Sequence, residues 1–293
     1  MRSMQRLSVL VSLLLVPFVA EAQGLDTAKI DQALGRSGQK MGDVYRAGFP
    51  RSDLHVLVHG VPIKTGLALG SWAAFSGSDD NATVMGDLVL LQAEVNPVME
   101  KLRAAGFQIT AVHNHLLEET PRVMYMHYMG QGPAAKLAQS LRIALSASRT
   151  PLGKPAAAPP ASSSSPAWVK TVENALGRKG KFAGGVLSFG ISRAQAVTMD
   201  GMTLTSAQGV PESINFQEAG TGKVATTGDF VLTAEEVNPV ISALQAHHVT
   251  VTALHSHMLT EQPRIFFMHF WALGNPQSVA LGMKAALSHV ATK

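Results

Sequence analysis

The sequence predicts an α+β protein made by tandem duplication of one domain, each copy a largely antiparallel sheet with packing helices. Three observations predict this. The 293-residue chain repeats itself at one fixed offset. A segment rich in Pro, Ala and Ser divides the two copies. Within each copy, short β-type runs and amphipathic runs follow one another in the same order.

The offset is 142 positions (255 − 113). Ala33-Leu34-Gly35-Arg36 returns as Ala175-Leu176-Gly177-Arg178, and Gly86-Asp87 as Gly228-Asp229. Glu94-Val95-Asn96-Pro97-Val98 returns as Glu236-Val237-Asn238-Pro239-Val240. A single shift held over this length means duplication. The expected organisation is a leader at 1–22, repeat one at 23–149, a linker at 150–166 and repeat two at 167–293. The linker has no large apolar side chain between Pro155 and Pro166 and reads as a solvated spacer.

In copy one, Thr27–Leu34 reads as a helix stopped by Gly35. Residues 44–49, 54–58, 72–76 and 83–91 read as strands punctuated by Gly and Pro. Asn96 is the expected N-cap of the next helix, with Pro97 at its first position, where a missing N–H is tolerated. That helix stops at Gly106. Residues 107–115 and 122–129 are strands, and 133–147 is a closing helix with Leu137, Leu141, Ile143 and Leu145 as its apolar residues. Copy two repeats this order.

Arg2, Arg6, the apolar run 7–20 and Ala20-Glu21-Ala22 form a secretory signal pattern, so the expected location is periplasmic or secreted. The apolar run would reach about 21 Å as a helix, short of a ~30 Å hydrocarbon layer, and no stable span is expected after cleavage. Apolar residues are 46 % of the chain and charged residues 15 %, enough to build real cores. The net charge of +4 comes without a Lys/Arg stripe, which argues against nucleic acid as a partner. There is no cysteine, so any metal is held by His, Asp, Glu or Met.

Six of the eleven histidines form two matching sets: His113, His115, His127 and His255, His257, His269. On a strand, His113 and His115 face one side. A hairpin centred near Pro121 would bring His127 back opposite His115, where facing Cβ atoms lie about 5 Å apart. Each repeat is thus expected to hold a three-histidine metal site with an open fourth position, the pattern of catalytic zinc. Glu119 and Glu261, at matching places in the turn, are candidate general bases. Arg122 and Arg264 are candidate anchors for a carboxylate or phosphate. The alternative for both pairs is an ion pair that rigidifies the turn. Asp87, Glu94, Asp229 and Glu236 recur as candidates to orient the histidines, the alternative for each Asp after a Gly being a plain turn residue. Met124, Met126, Met129, Met258 and Met268 suit copper as well as a hydrophobic core.

The strings Gly86-Asp-Leu-Val-Leu-Leu, Glu94-Val-Asn-Pro-Val98 and His113-Asn-His-Leu-Leu-Glu, with Pro121-Arg-Val-Met-Tyr-Met-His127, resemble the LppY/LpqO family of exported bacterial proteins over both repeats. This chain departs from the lipoprotein pattern by lacking Cys. His-x-His, eleven residues and His, with Arg in the turn, is similar to the zinc hairpin of acetolactate decarboxylase and its relatives. That likeness implies zinc at His113, His115 and His127, and at His255, His257 and His269, with Arg122 and Arg264 in the turns. Three functions follow: a zinc-dependent hydrolase or lyase acting on a small anionic or carbonyl molecule, a non-catalytic handler of copper or zinc, and a solute-binding module with structural histidines.

Overall fold

The computed structural model describes residues 24–153 and 165–293. The expected leader and most of the linker lie outside the described residues. Each repeat is a six-stranded antiparallel sheet. In repeat one the order across the sheet is Gln39–Met41, Val44–Pro50, Gly70–Gly77, Ala82–Leu91, Val123–Gly132 and Gln108–His113. Repeat two reproduces it as Lys181–Ala183, Val186–Ile191, Glu212–Glu218, Val224–Leu232, Phe266–Gly274 and Thr250–His255. The α+β duplication expected from the sequence is therefore the fold.

Three main helices cover one face of each sheet: Thr27–Leu34, Val95–Ala104 and Ala134–Leu145 in repeat one, and Ala167–Leu176, Ala234–Ala246 and Pro276–Leu287 in repeat two. The first is capped by Asp26, whose carboxylate accepts from the Ala28 and Lys29 amides, and ends at Gly35 with φ 73°. Ile30, Leu34, Val98, Leu102, Leu137 and Leu141 bury against the sheet. Ile143, also apolar, is 53 % exposed, because the helical period turns it away from the row that Leu137, Leu141 and Leu145 share.

The helix before the histidine hairpin begins earlier than Asn96. It spans Val95–Ala104 after a 3₁₀ turn at Gln92–Glu94, and its partner begins at Ala234. The Glu94 carboxylate accepts from the Leu91 amide at 2.8 Å and that of Glu236 from the Thr233 amide at 2.8 Å. A glutamate reaching back in this way fixes the start of a helix three residues upstream of itself. Likewise, only Leu57–Val58 of the expected 54–58 strand pairs as a strand.

The inner faces of the two sheets meet. Along Ala82–Leu91, Val84, Leu88 and Leu90 point to the helices of their own repeat, whereas Met85 and Val89 enter clusters that contain residues of repeat two. Both faces of this strand are covered, so its sequence shows an apolar run in place of clean alternation. Each repeat also sends an arm across the other. Around Leu57–Val58 and Val61–Pro62, Val58, Ile63 and Leu67 pack on Ala225 and Trp271. Around Thr198–Met199 and Met202–Thr203, Val197, Met199 and Leu204 pack on Val44, Ala74 and Met85. Burying a large apolar side chain stabilises by about 1.5–3 kcal/mol, so the repeats form one folding unit. Among the described residues, no helix is long and apolar enough to cross a membrane.

Candidate metal centre

The histidine hairpin forms, with a register that differs from the expected one. His113 pairs with Tyr125, and in the same register His127 pairs with Ala111, not with His115; a bulge follows between Ala111 and Ile109. The ladder ends at His113, and Glu119–Thr120 leaves to pair with Leu57–Val58 instead. The residues spent on that excursion shift the return strand. His113 and His127 keep a common face, because Ala111 and His113 do. The ring centroids lie 5.1 Å apart for His113–His115 and also for His113–His127. Repeat two matches, at 4.8 Å for His255–His257 and for His255–His269.

The two sets do not stand apart. They meet between the sheets and interleave: His113 stacks on His255 at 3.7 Å, His115 on His269 at 3.7 Å and His127 on His257 at 3.6 Å. Asp87 pairs across the sheet with His127, and Asp229 with His269. Their carboxylates reach the rings at 3.7 Å (His127 Nε2) and 3.0 Å (His269 Nδ1). Three groups of side chains place their ligand atoms within 4.8 Å of one another: His113 with His255, His257 and His269; Asp87 with His113 and His127; and His115 with Asp229 and His269. Two of the three draw on both repeats. Atoms bound at about 2.1 Å to one ion lie at most about 4.2 Å apart, so modest side-chain movement closes each group on a metal.

All six Nε2 atoms, and Oδ1 of both aspartates, are buried without a hydrogen-bond partner. A buried polar atom left unpaired costs about 1–3 kcal/mol, so eight at one place mark a site built for something that satisfies them. Burial, reinforced by neighbouring histidines, holds His113, His115, His127 and His257 well below the ordinary imidazole range, and His255 at about 4. These five rings are then neutral near pH 7. Nδ1 lies 3.3 Å from the Asn114 carbonyl in His113, 3.2 Å from Ser256 in His255 and 3.0 Å from Gly228 in His269. An Nδ1–H donated there leaves the Nε2 lone pair free for a cation. Burial, and after it the charge of Asp229, pushes the Asp87 carboxyl well above its usual range, against the opposing pull of Arg46. The donor set of imidazole and carboxylate fits a divalent transition metal.

Gly86 and Gly228, which precede the aspartates, lie inside strands and not at turns. A Cβ at Gly86 would collide with the Trp72 carbonyl oxygen, and one at Gly228 with that of Ser213. Gly228→Ala is therefore expected to destabilise the protein by about 1–3 kcal/mol, read as a lower urea midpoint; an unchanged midpoint would show that the strand has room.

A cavity of about 350 Å³ adjoins the cluster, with His115, His127, His257, Asp87, Asp229 and Tyr125 in its wall. Glu119 and Arg122 do not line it, and neither do Glu261 and Arg264. Glu119 is buried in the turn, where Oε1 accepts from the Val123 amide at 3.4 Å and lies 3.5 Å from Arg122 Nε. Glu261 does the same with the Ile265 amide at 3.3 Å and Arg264 NH1 at 3.4 Å. These contacts clamp the turn. Glu94 is likewise spent on Arg51 and on the Leu91 and Arg149 amides, and Glu236 on Arg193 and the Thr233 and Ala291 amides. Met126 and Met268 pack in the separate cores of the two repeats, and Met129 and Met258 in an inter-repeat cluster. Sequence reasoning missed Arg46 and Trp72, which line the cavity but have no counterpart at the repeat offset to flag them.

The family model described as Domain of Unknown Function (DUF1259) matches residues 28–147 and again 170–289. No curated protein matches. Among solved structures, a trimeric bacterial microcompartment shell protein, PduB, is 11 % identical over 87 % of this chain and 89 % of that one, with a TM-score of 0.25. EtuB from Clostridium kluyveri is 12 % identical over 86 % and 90 %, with a TM-score of 0.20. At such scores these likenesses bear on neither fold nor function.

Proposed function

Through both of its repeats the chain belongs to the family Domain of Unknown Function (DUF1259), and from the site those repeats share we propose an exported, metal-dependent enzyme, with zinc as its metal. The reading rests on the orphaned Nε2 atoms of six buried histidines at one place. Zinc accords with imidazole and carboxylate donors, and copper is the alternative metal, since Met129 and Met258 border His127 and His257. The adjoining cavity favours catalysis over a closed structural site. Bound zinc would supply Lewis acidity toward a carbonyl or a water molecule. Asp87 and Asp229 replace Glu119 and Glu261 as candidate bases, since they share the cavity wall with the histidines. Export rests on the leader pattern in residues 1–22, and the resemblance to LppY/LpqO proteins supports it.

One observation favours a second reading, metal handling without catalysis: six imidazoles exceed the three that a catalytic zinc commonly takes. The mature chain, prepared without a histidine tag, separates the two. The proposed function predicts ester hydrolysis or decarboxylation that chelation abolishes, zinc restores and His115→Ala removes while circular dichroism stays native. Metal-loaded protein that turns over neither substrate class but yields its metal readily to a competing chelator would favour handling.

A further inference from the structure

The cavity is not symmetric, although the metal cluster nearly is. Arg46 lines it from the Val44–Pro50 strand and Trp72 from Gly70–Gly77. The guanidinium lies over the Trp72 ring at 4.2 Å, and NH1 donates to the Ala207 carbonyl of repeat two at 3.2 Å. Asp87 is the carboxylate that acts on this guanidinium across the cavity, with no salt bridge between them. At the repeat offset Arg46 corresponds to Ser188. Ser213 holds the place opposite Asp229 that Trp72 holds opposite Asp87. The histidines and aspartates recur, whereas the guanidinium and its aromatic support occur once.

We propose that this cavity binds one small carboxylate per chain, with Arg46 as the anchor that holds it beside the histidine cluster. A guanidinium offers a planar fork that matches a carboxylate, and stacking on Trp72 with one N–H tied to Ala207 pre-orients that fork. At about 350 Å³ the cavity is near the lower end of ligand pockets, which limits the occupant to a small metabolite. Ser213 and Asn215 supply further polar contacts in the wall. A cation held by the cluster would sit beside the same space and attract an anion, so carboxylate binding is tighter in the metal-loaded protein. This deepens the proposed function and rests on it for the metal, while Arg46 itself is independent of the ion.

Calorimetric titration of the zinc-loaded, untagged chain with malonate, its neutral analogue malonamide and inorganic phosphate tests this, with metal content measured on each sample. The expected result is one malonate per chain, no malonamide, and malonate weakened about 10- to 100-fold in Arg46→Gln at unchanged metal content. Arg46→Lys, which keeps the charge and loses the fork, is expected to fall between them. Equal malonate binding by Arg46→Gln overturns the proposal, as does equal binding of malonamide. Arg46-dependent binding of phosphate without malonate overturns the carboxylate assignment. If no metal is found, the metal reading fails by itself, and the same titration of the metal-free chain with and without Arg46→Gln still decides the anchor.

Discussion

Replacing His113 by alanine is expected to lower the zinc affinity of the whole chain by more than about 100-fold, although five of the six imidazoles remain. Loss of a residue that merely orients a ligand costs about 10–100-fold in affinity, and a direct ligand costs more. His113 belongs to two of the three candidate ligand groups and stacks on His255 at the centre of the cluster. The same loss is expected from His255→Ala in the other repeat. Competition with a chromogenic chelator measures both, with the exposed His289→Ala as control. Two independent sites would behave differently: His113→Ala would halve the bound zinc and leave the remaining half at full affinity.

The second large effect is structural. Glu94→Ala is expected to destabilise the protein by about 3–5 kcal/mol, the usual consequence of removing one partner of a buried ion pair. Arg51 is 0 % exposed and its fork is shared by Glu94, at 2.7 Å, and Asp53, at 2.9 Å, with the Val89 carbonyl at 2.8 Å. Glu94 also accepts from the Leu91 and Arg149 amides, so its loss frees the start of the Val95–Ala104 helix as well. Urea denaturation reads the change. Zinc affinity of the folded fraction is expected to stay unaltered, since Glu94 is not among the candidate ligand groups. A change under about 1 kcal/mol accompanied by weaker zinc binding would instead give this glutamate the histidine-orienting role.

The duplication, the α+β class and the two histidine sets were legible because each repeats at a constant offset. The meeting of the sets was not. Strand periodicity reports which residues share a face, not what covers that face, and the second cover of Ala82–Leu91 is the other repeat. Recurrence also preserves structural clamps as faithfully as chemistry. Glu119 and Arg122 recur as Glu261 and Arg264, and both pairs hold the hairpin turn. The converse applies to Arg46 and Trp72, which are informative in the cavity because they do not recur. The register of His127 was misplaced because the turn sends Glu119–Thr120 to pair with Leu57–Val58, a non-local contact that no hairpin count contains.

Anomalous diffraction at the zinc edge from crystals of the metal-loaded, untagged chain tests the shared centre most directly. The account predicts a peak between the sheets at about 2.1 Å from Nε2 atoms contributed by both repeats, with His113 or His269 among them. Zinc ligated wholly by residues of one repeat, or no peak among the six histidines, would contradict it.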